Sequence, residues 1–452
     1  MTAFLLRSST LRSTWRSSAL CFFLSLAGLA QAQNLVIESW RKDDQVFWDK
    51  VLIPAFQRKH PGIRLEFSPE EPLSYDSKVE TRLATRRAGD LIFCRPFEPS
   101  QRMHAKGYLQ PLEDDVLRSF SAQARRAWST EDGRSTYCLP VAYVVHGVFY
   151  NKALLRQHRL QTPNTTEEFL QLLESLSRIP EVTPLALGTA DMWEATQVVF
   201  TGMGPAFWKG EQGRQGLLNG QRRFTDPEFV AAWAFMGRLR PYMHPDQRNM
   251  GNSDVQLLFA SGNAAVYPTG SWDIDYLRNT SFAYKKPIEL GVFKPPVPKT
   301  GDRCQLSVHP DFGIGINRHT RHPQAAIQVL RWLASPEFAQ LLTDTFSGYF
   351  SLSSHPVALN DPLSREMIHW RSECDETIRV NAERMNRVWP PMEEELWYTN
   401  VKVINQEMSP QEAAQRIQRV HERNTYLPYP ALPRPPAEPA KVSGPGPSSA
   451  RP

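Results

Sequence analysis

The chain has 452 residues, a formal net charge of +5, 41% hydrophobic and 22% charged residues. That length exceeds one typical domain and predicts two lobes, with cores large enough to need no metal to hold them. The near balance of charge excludes nucleic acid as an electrostatic partner, and short basic pairs such as Arg125-Arg126 and Lys285-Lys286 read as solvated surface.

Arg7, Arg12 and Arg16 precede an apolar run from Ala19 to Ala30, and Ala30-Gln31-Ala32 supplies a small-x-small cleavage pattern. Residues 1–32 therefore read as a signal peptide, cleaved near Ala32, which predicts a periplasmic protein. The apolar run is shorter than the roughly 20 residues a membrane span needs. Cys21 lies inside the run, away from the cleavage point, which argues against a lipid anchor. Cys94, Cys138, Cys304 and Cys374 remain, too widely spaced for a CxxC redox or zinc pattern. Disulfides and buried free thiols both stay open.

The mature chain opens on alternating elements. Leu35 to Ser39 predicts a strand. A helix follows, capped by Asp43 or Asp44, with Phe47, Val51 and Ala55 beside Trp48, Leu52 and Phe56 on an apolar face. His60-Pro61-Gly62 stops it. Ile63 to Phe67 is a second strand, Val79 to Ala88 a second helix and Asp90 to Cys94 a third strand. This order predicts parallel pairing with right-handed crossovers. Tyr137 to Pro140 and Val144 to Tyr150 read as two strands bracketing a crossing point. Thr165 and Glu168 form a capping box, as do Ser409 and Glu412; Asp226-Pro227 and Ser335-Pro336 mark further helix starts. Strands recur at Pro184 to Leu187, Ala264 to Tyr267, Leu290 to Phe293 and Phe312 to Ile316. Residues 428–452 are proline-rich without apolar periodicity and read as a disordered tail.

Catalytic and metal signatures are missing: no HExxH, P-loop, GxSxG or dinucleotide fingerprint occurs. His319 and His322 flank basic residues in a predicted loop and read as exposed. The acid runs Asp114-Asp115 and Glu393-Glu394-Glu395 put adjacent carboxylates side by side, not across a scissile bond, and read as solvated faces. The expectation is a non-enzyme with no cofactor.

Five segments carry a resemblance. They are Gly89 to Phe93 with Gly107-Tyr108-Leu109-Gln110-Pro111-Leu112; Leu139-Pro140 with Gly147 to Lys152 and Thr162-Pro163; Leu258 to Tyr267 with Gly270-Ser271-Trp272; Phe312 to Asn317 with His322 to Ala326 and Trp332 to Glu337; and Met408 to Ala413. In this order they resemble the extracellular solute-binding protein family of carbohydrate ABC importers, over about residues 34–426. Thr166 or Glu167 stands where that family usually has tryptophan. The resemblance implies an α/β, two-lobed periplasmic-binding-protein fold with a ligand cleft between lobes joined by hinge strands. It divides the chain into 34–142 plus 288–345 and 143–287 plus 346–427. It also implies a monomer that delivers a small hydrophilic ligand, a sugar or oligosaccharide, to membrane permease subunits. A polyol, glycerophosphodiester or amine ligand, a sensor-kinase partner and an exported carbohydrate-active enzyme are the alternatives.

Sugars present hydroxyls and C–H patches, met by polar groups and aromatic faces. Such groups converge at strand C-terminal ends. Trp272 and Asp273, at the family's G-S-W position, are the first candidates, with Trp193 and Glu194 in the loop after Gly188. Ser39 and Trp40 end the first strand, Glu70 and Glu71 the second, and Arg95 the third. Tyr143 lies near the crossing, and Phe312 and Tyr349 on the hinge side.

Overall fold

The computed structural model describes residues 32–194, 199–284, 287–387 and 390–425; residues 1–31 of the expected signal peptide, Lys285-Lys286 and the tail 428–452 lie outside them. The strands are β1 (Gln33–Ser39), β2 (Ile63–Pro69), β3 (Leu91–Cys94), β4 (Cys138–Asn151), β5 (Thr183–Leu185), β6 (Ala264–Gly270), β7 (Leu290–Phe293), β8 (Gln305–Ile316), β9 (Phe350–Ser351) and β10 (Asp375–Thr377). Among the described residues they form one ten-stranded sheet whose main path runs β2-β1-β3-β8-β4-β6-β5, with β10 on β8 and β7 and β9 on β4.

β1 is parallel to both β2 and β3, as the alternating opening predicts. β4 differs from expectation: Cys138 to Asn151 form one strand in place of two. Its residues are nearly all buried, the pattern of a strand covered on both faces. The crossing is absorbed by an irregularity of register between Pro140 and Tyr143, which bends the strand without ending it. The N-terminal part of β4 pairs with β8, and residues 146–151 pair with β6 and β7.

Packing follows this division. One core gathers residues of β1–β3, Leu139, Val144, Ile314, Trp332 and Tyr349. On the other side of the crossing, Phe169, Phe200, Trp233, Val266, Leu396 and Ile417 fill a second core. Val145, Phe149, Tyr267, Val292, Val308 and Phe350 fill a third against the same sheet. Each fully buried large apolar side chain contributes about 1.5–3 kcal/mol. The expected division assigned residues 288–345 to the first lobe. In the structure β7 pairs with β4 beyond the crossing, and Val292 and Val308 join the third core. Further along β8, Phe312, Ile314 and Ile316 join the first core.

The first helix also departs from prediction. Asp44 makes no side-chain cap; a 3-10 turn at Lys42–Asp44 leads into the helical turns, and a π turn occupies Trp48–Leu52. Pro54 follows, and its missing N–H and ring cannot continue a regular ladder, so the wider turn accommodates it. The next helix is Tyr75–Ala84, earlier than expected. The capping boxes form as read: Thr165 Oγ1 accepts from the Glu168 N–H (3.2 Å), and Ser409 Oγ from the Glu412 N–H (3.2 Å). Asp226 precedes Pro227 as expected, but its carboxylate accepts from the Arg223 N–H instead of capping the helix.

The four cysteines are paired, Cys94–Cys138 and Cys304–Cys374. The first joins β3 to β4 across β8, where Gly315 leaves room: a Cβ there would lie 2.9 Å from Cys138 Sγ and 3.1 Å from Cys94 Sγ. Non-reducing peptide mapping should recover these two links. Replacing Cys304 and Cys374 with serine should lower unfolding stability by about 2–4 kcal/mol in urea titrations.

Candidate functional site

Where β4 and β8 pass between the lobes, side chains from both sides meet. Trp272 follows β6 in the second lobe, is half-buried, and packs against the first core. Its ring lies over Gly270, whose added Cβ would come within 1.8 Å of it. Gly270 has ordinary extended backbone, so space, not conformational freedom, requires glycine there. Beside Trp272 stand His146 of β4, centroid to centroid 5.1 Å and edge-on, and His309 of β8 at 6.2 Å.

The first lobe contributes Arg41, one residue past Trp40. Arg41 Nη1 donates to Asp311 (3.1 Å) and Nη2 to Asp44 (3.1 Å), and it also donates to the Tyr349 hydroxyl. Its guanidinium lies 4.5 Å from the Tyr349 ring centroid. Burial alone would lower its pKa; Asp44, Tyr349 and Asp311 hold it well above its ordinary value instead. Burial likewise pushes the Tyr349 phenol well up, so it stays neutral.

Several candidates have local partners. Ser39 is buried and accepts from the Arg41 N–H (3.0 Å). Trp40 is buried edge-on against Tyr75 (5.5 Å) and Phe93 (5.8 Å), beneath Arg95 (4.3 Å). Arg95 pairs with Asp76 (2.9 Å) and donates to the Pro72 carbonyl (2.8 Å). Glu71 is exposed and pairs with Lys42, while Glu70 pairs with Lys78 and Arg82. Tyr143 accepts from Arg371, which also covers its ring at 4.9 Å. Phe312 is a first-core residue, stacked on Phe93 at 4.7 Å.

Asp273 is buried, and its carboxylate accepts from Gln256 Nε2 (2.8 Å) and Thr269 Oγ1 (2.7 Å). These bonds tie the end of β6 to the helix Asn252–Ala260. Burial raises Asp273 to about 6. Trp193 is half-buried and Glu194 fully buried; burial, then Asp191 and Asp273, raise Glu194 well above the carboxylate range. The structure thus brings Trp272 and Tyr349 to the lobe junction and leaves Glu71 at the surface. The residues not anticipated are Arg41, Asp311, His146, His309 and Arg379. Three of them, His146, His309 and Asp311, stand inside otherwise apolar strand runs, a visible signal that periodicity alone does not weigh.

Among the described residues, no group of three or more His, Cys, Asp or Glu is arranged to hold a metal ion, and no helix is long and apolar enough to cross a membrane. Two α/β lobes joined by shared strands, with aromatic and hydrogen-bonding groups at the junction, define a two-lobed binding protein. The model of the bacterial extracellular solute-binding protein family matches residues 40–340, and the chain belongs to that family. A multiple sugar-binding protein of Streptococcus mutans is 22% identical over 330 residues, 69% of this chain and 71% of that one. The fold is shared with a bacterial solute receptor, AcbH, described as exclusively preferring β-D-galactopyranose (TM-score 0.74, 15% identity, 87% of this chain and 100% of that one). It is shared too with a Bacillus licheniformis sugar transporter protein in complex with stachyose (TM-score 0.67, 16% identity, 86% and 99%).

Gly270→Ala should displace the Trp272 ring and cost about 1–3 kcal/mol of stability, read as a lower melting temperature with altered tryptophan fluorescence. Acid sensitivity follows from His146. Burial, then Arg379, lowers it from 6.5 to about 3. A depressed folded pKa means stability that is complete above 6.5 and lost as pH falls towards 3. Asp273, raised from 3.8 to about 6, acts with the opposite sign as pH rises through that window. His146→Phe should therefore lose less melting temperature than the parent between pH 6.5 and 4.

Proposed function

We propose that this chain is the exported, periplasmic substrate-binding component of an ABC importer and captures a neutral sugar or oligosaccharide. The observation that carries the reading is the lobe junction, where half-buried Trp272 meets a polar cluster that is already charge-balanced. Arg41 is matched by Asp44 and Asp311, Arg95 by Asp76, and Arg379 by Glu393 (3.4 Å). An anionic ligand would have to break one of these pairs to gain an arginine, and a cationic one would compete for the same carboxylates. Neutral hydroxyls require neither. The names of the sugar-binding relative and neighbours support the same ligand class.

Capture works by closure of the lobes about β4 and β8, the strands common to both. Ligand touching both lobes favours the closed form by its differential affinity for that form, and the permease then accepts the closed protein. Trp272 supplies the aromatic face for the C–H patches of a sugar ring. Glu194, Trp193 and Tyr143 stay in this reading as candidates at the second-lobe side.

The test is thermal melting of the mature protein against raffinose, stachyose, D-galactose, xylo-oligosaccharides, glycerophosphodiesters and polyamines. A sugar at 100 times its dissociation constant should add about 2.7 kcal/mol, and Trp272→Ala should abolish the shift. A shift with only an amine or a phosphodiester would overturn the sugar assignment.

A further inference from the structure

The lobe junction contains polar atoms that the charge network above does not use. Val144 pairs with His309 and Val145 with Val308 along β4 and β8. Ser307, two residues before His309 on β8, shares its sheet face by the strand's alternation and pairs with Thr377 of β10. His146 pairs with Gly270 of β6, the residue under the Trp272 ring. His146, Ser307 and His309 are 0%, 0% and 2% exposed. Yet among the described residues His146 Nδ1 and Nε2, Ser307 Oγ and His309 Nδ1 all lack a hydrogen-bond partner. Buried polar atoms in this condition are few in native proteins and destabilise the fold unless something meets them.

We propose that His146, Ser307 and His309 form the hydrogen-bonding floor of the cleft, which takes ligand hydroxyls and sets which sugar is held. The inference rests on the sugar-binding reading and names the groups that would discriminate within it. Arg379 Nη2 lies 3.0 Å from His309 Nε2. A guanidinium only donates, so Nε2 is the bare nitrogen and Nδ1 carries the proton. His309 thus presents an N–H donor. His146, kept neutral by burial, presents one donor and one acceptor. Ser307 adds a hydroxyl that does both. The floor is uncharged and offers donors and acceptors together, the complement of adjacent sugar hydroxyls, each of which also donates and accepts. It offers no fixed charge to a carboxylate, phosphate or ammonium.

Its position explains how ligand reaches it. The rings lie 5.0 Å apart beneath and beside Trp272. Trp272 belongs to the second lobe but packs on the first core, so parting of the lobes frees it from those contacts and uncovers the floor. Ligand then stacks on Trp272 and meets His146, Ser307 and His309 with the hydroxyls at its rim, at the strands about which the lobes close.

The experiment is isothermal titration of the parent, Ser307→Ala, His146→Phe and His309→Gln with raffinose, stachyose and D-galactose, and with monodeoxy analogues of whichever sugar binds. Ser307→Ala and His146→Phe should weaken binding about tenfold or more, because a floor built to bond hydroxyls loses its partners. His309→Gln, which keeps an acceptor for Arg379 and a donor for the ligand, should retain most of the affinity. Removing the hydroxyl that meets the floor should weaken the parent but not the Ser307→Ala or His146→Phe protein, a coupling that a purely structural role would not produce. If His146→Phe fails to fold, Ser307→Ala decides. A parent that binds a sugar with affinity unchanged in Ser307→Ala overturns the floor and leaves the sugar reading intact. A parent that binds no sugar of the melting panel, xylo-oligosaccharides included, overturns the reading and the floor with it.

Discussion

The structure depends on the hydrogen-bonded pairing of β4 with β8. β4 is one strand of fourteen residues that begins in the first core and ends beside the second and third, and β8 runs back beside it. Because backbone pairing continues through the crossing, the lobes are joined by covalent strands that also share a ladder. Any relative motion of the lobes has to be absorbed at the register irregularity between Pro140 and Tyr143 or in the side-chain contacts around it. The same two strands supply His146, Ser307 and His309, so the mechanical junction and the polar junction are one place.

Electrostatics at that place are arranged by compensation. Arg41 is half-buried, which taken alone would be costly for a charge, but two carboxylates and a phenol surround it. Asp44 is a local partner three residues on, but Asp311 from β8 and Tyr349 from the segment before β9 come from distant parts of the chain. Removing one partner would leave a half-buried charge less well met, so the cluster also fixes how these segments sit together. Arg95 is handled in the same way by Asp76, and its planar face rests on Trp40. These arginines are structural members of the junction before they are anything to a ligand.

The second-lobe side shows a different device. Asp273 is adjacent to Trp272 in sequence but faces inward, where Gln256 and Thr269 satisfy it. It anchors the turn on which Trp272 stands. Gly270 completes the arrangement by letting the indole lie directly over the end of β6. The G-S-W segment thus reads as a support for one aromatic face: glycine makes room, aspartate holds the turn, and Ser271 Oγ accepts from the Val145 N–H (3.1 Å), tying the turn to β4.

Much of this was legible in residue order. The parallel opening of β1–β3, the capping boxes at Thr165 and Ser409, and the strand runs were visible because each rests on neighbours a few residues apart. The family membership was visible because its motifs keep their order. What sequence could not decide were the relations between distant residues. Cys94 and Cys138 could have been free or paired until β8 set them on either side of Gly315. β7 could have belonged to either lobe until its pairing with β4 was known. Nor could sequence show that Phe312 stacks on Phe93 or that Asp273 accepts from Gln256. Sequence by itself determined the local elements and the α/β class, through short-range hydrogen bonding and apolar periodicity. Only the tertiary structure decided which side chains meet at the junction, because that depends on strand register and on compensation between charges hundreds of residues apart.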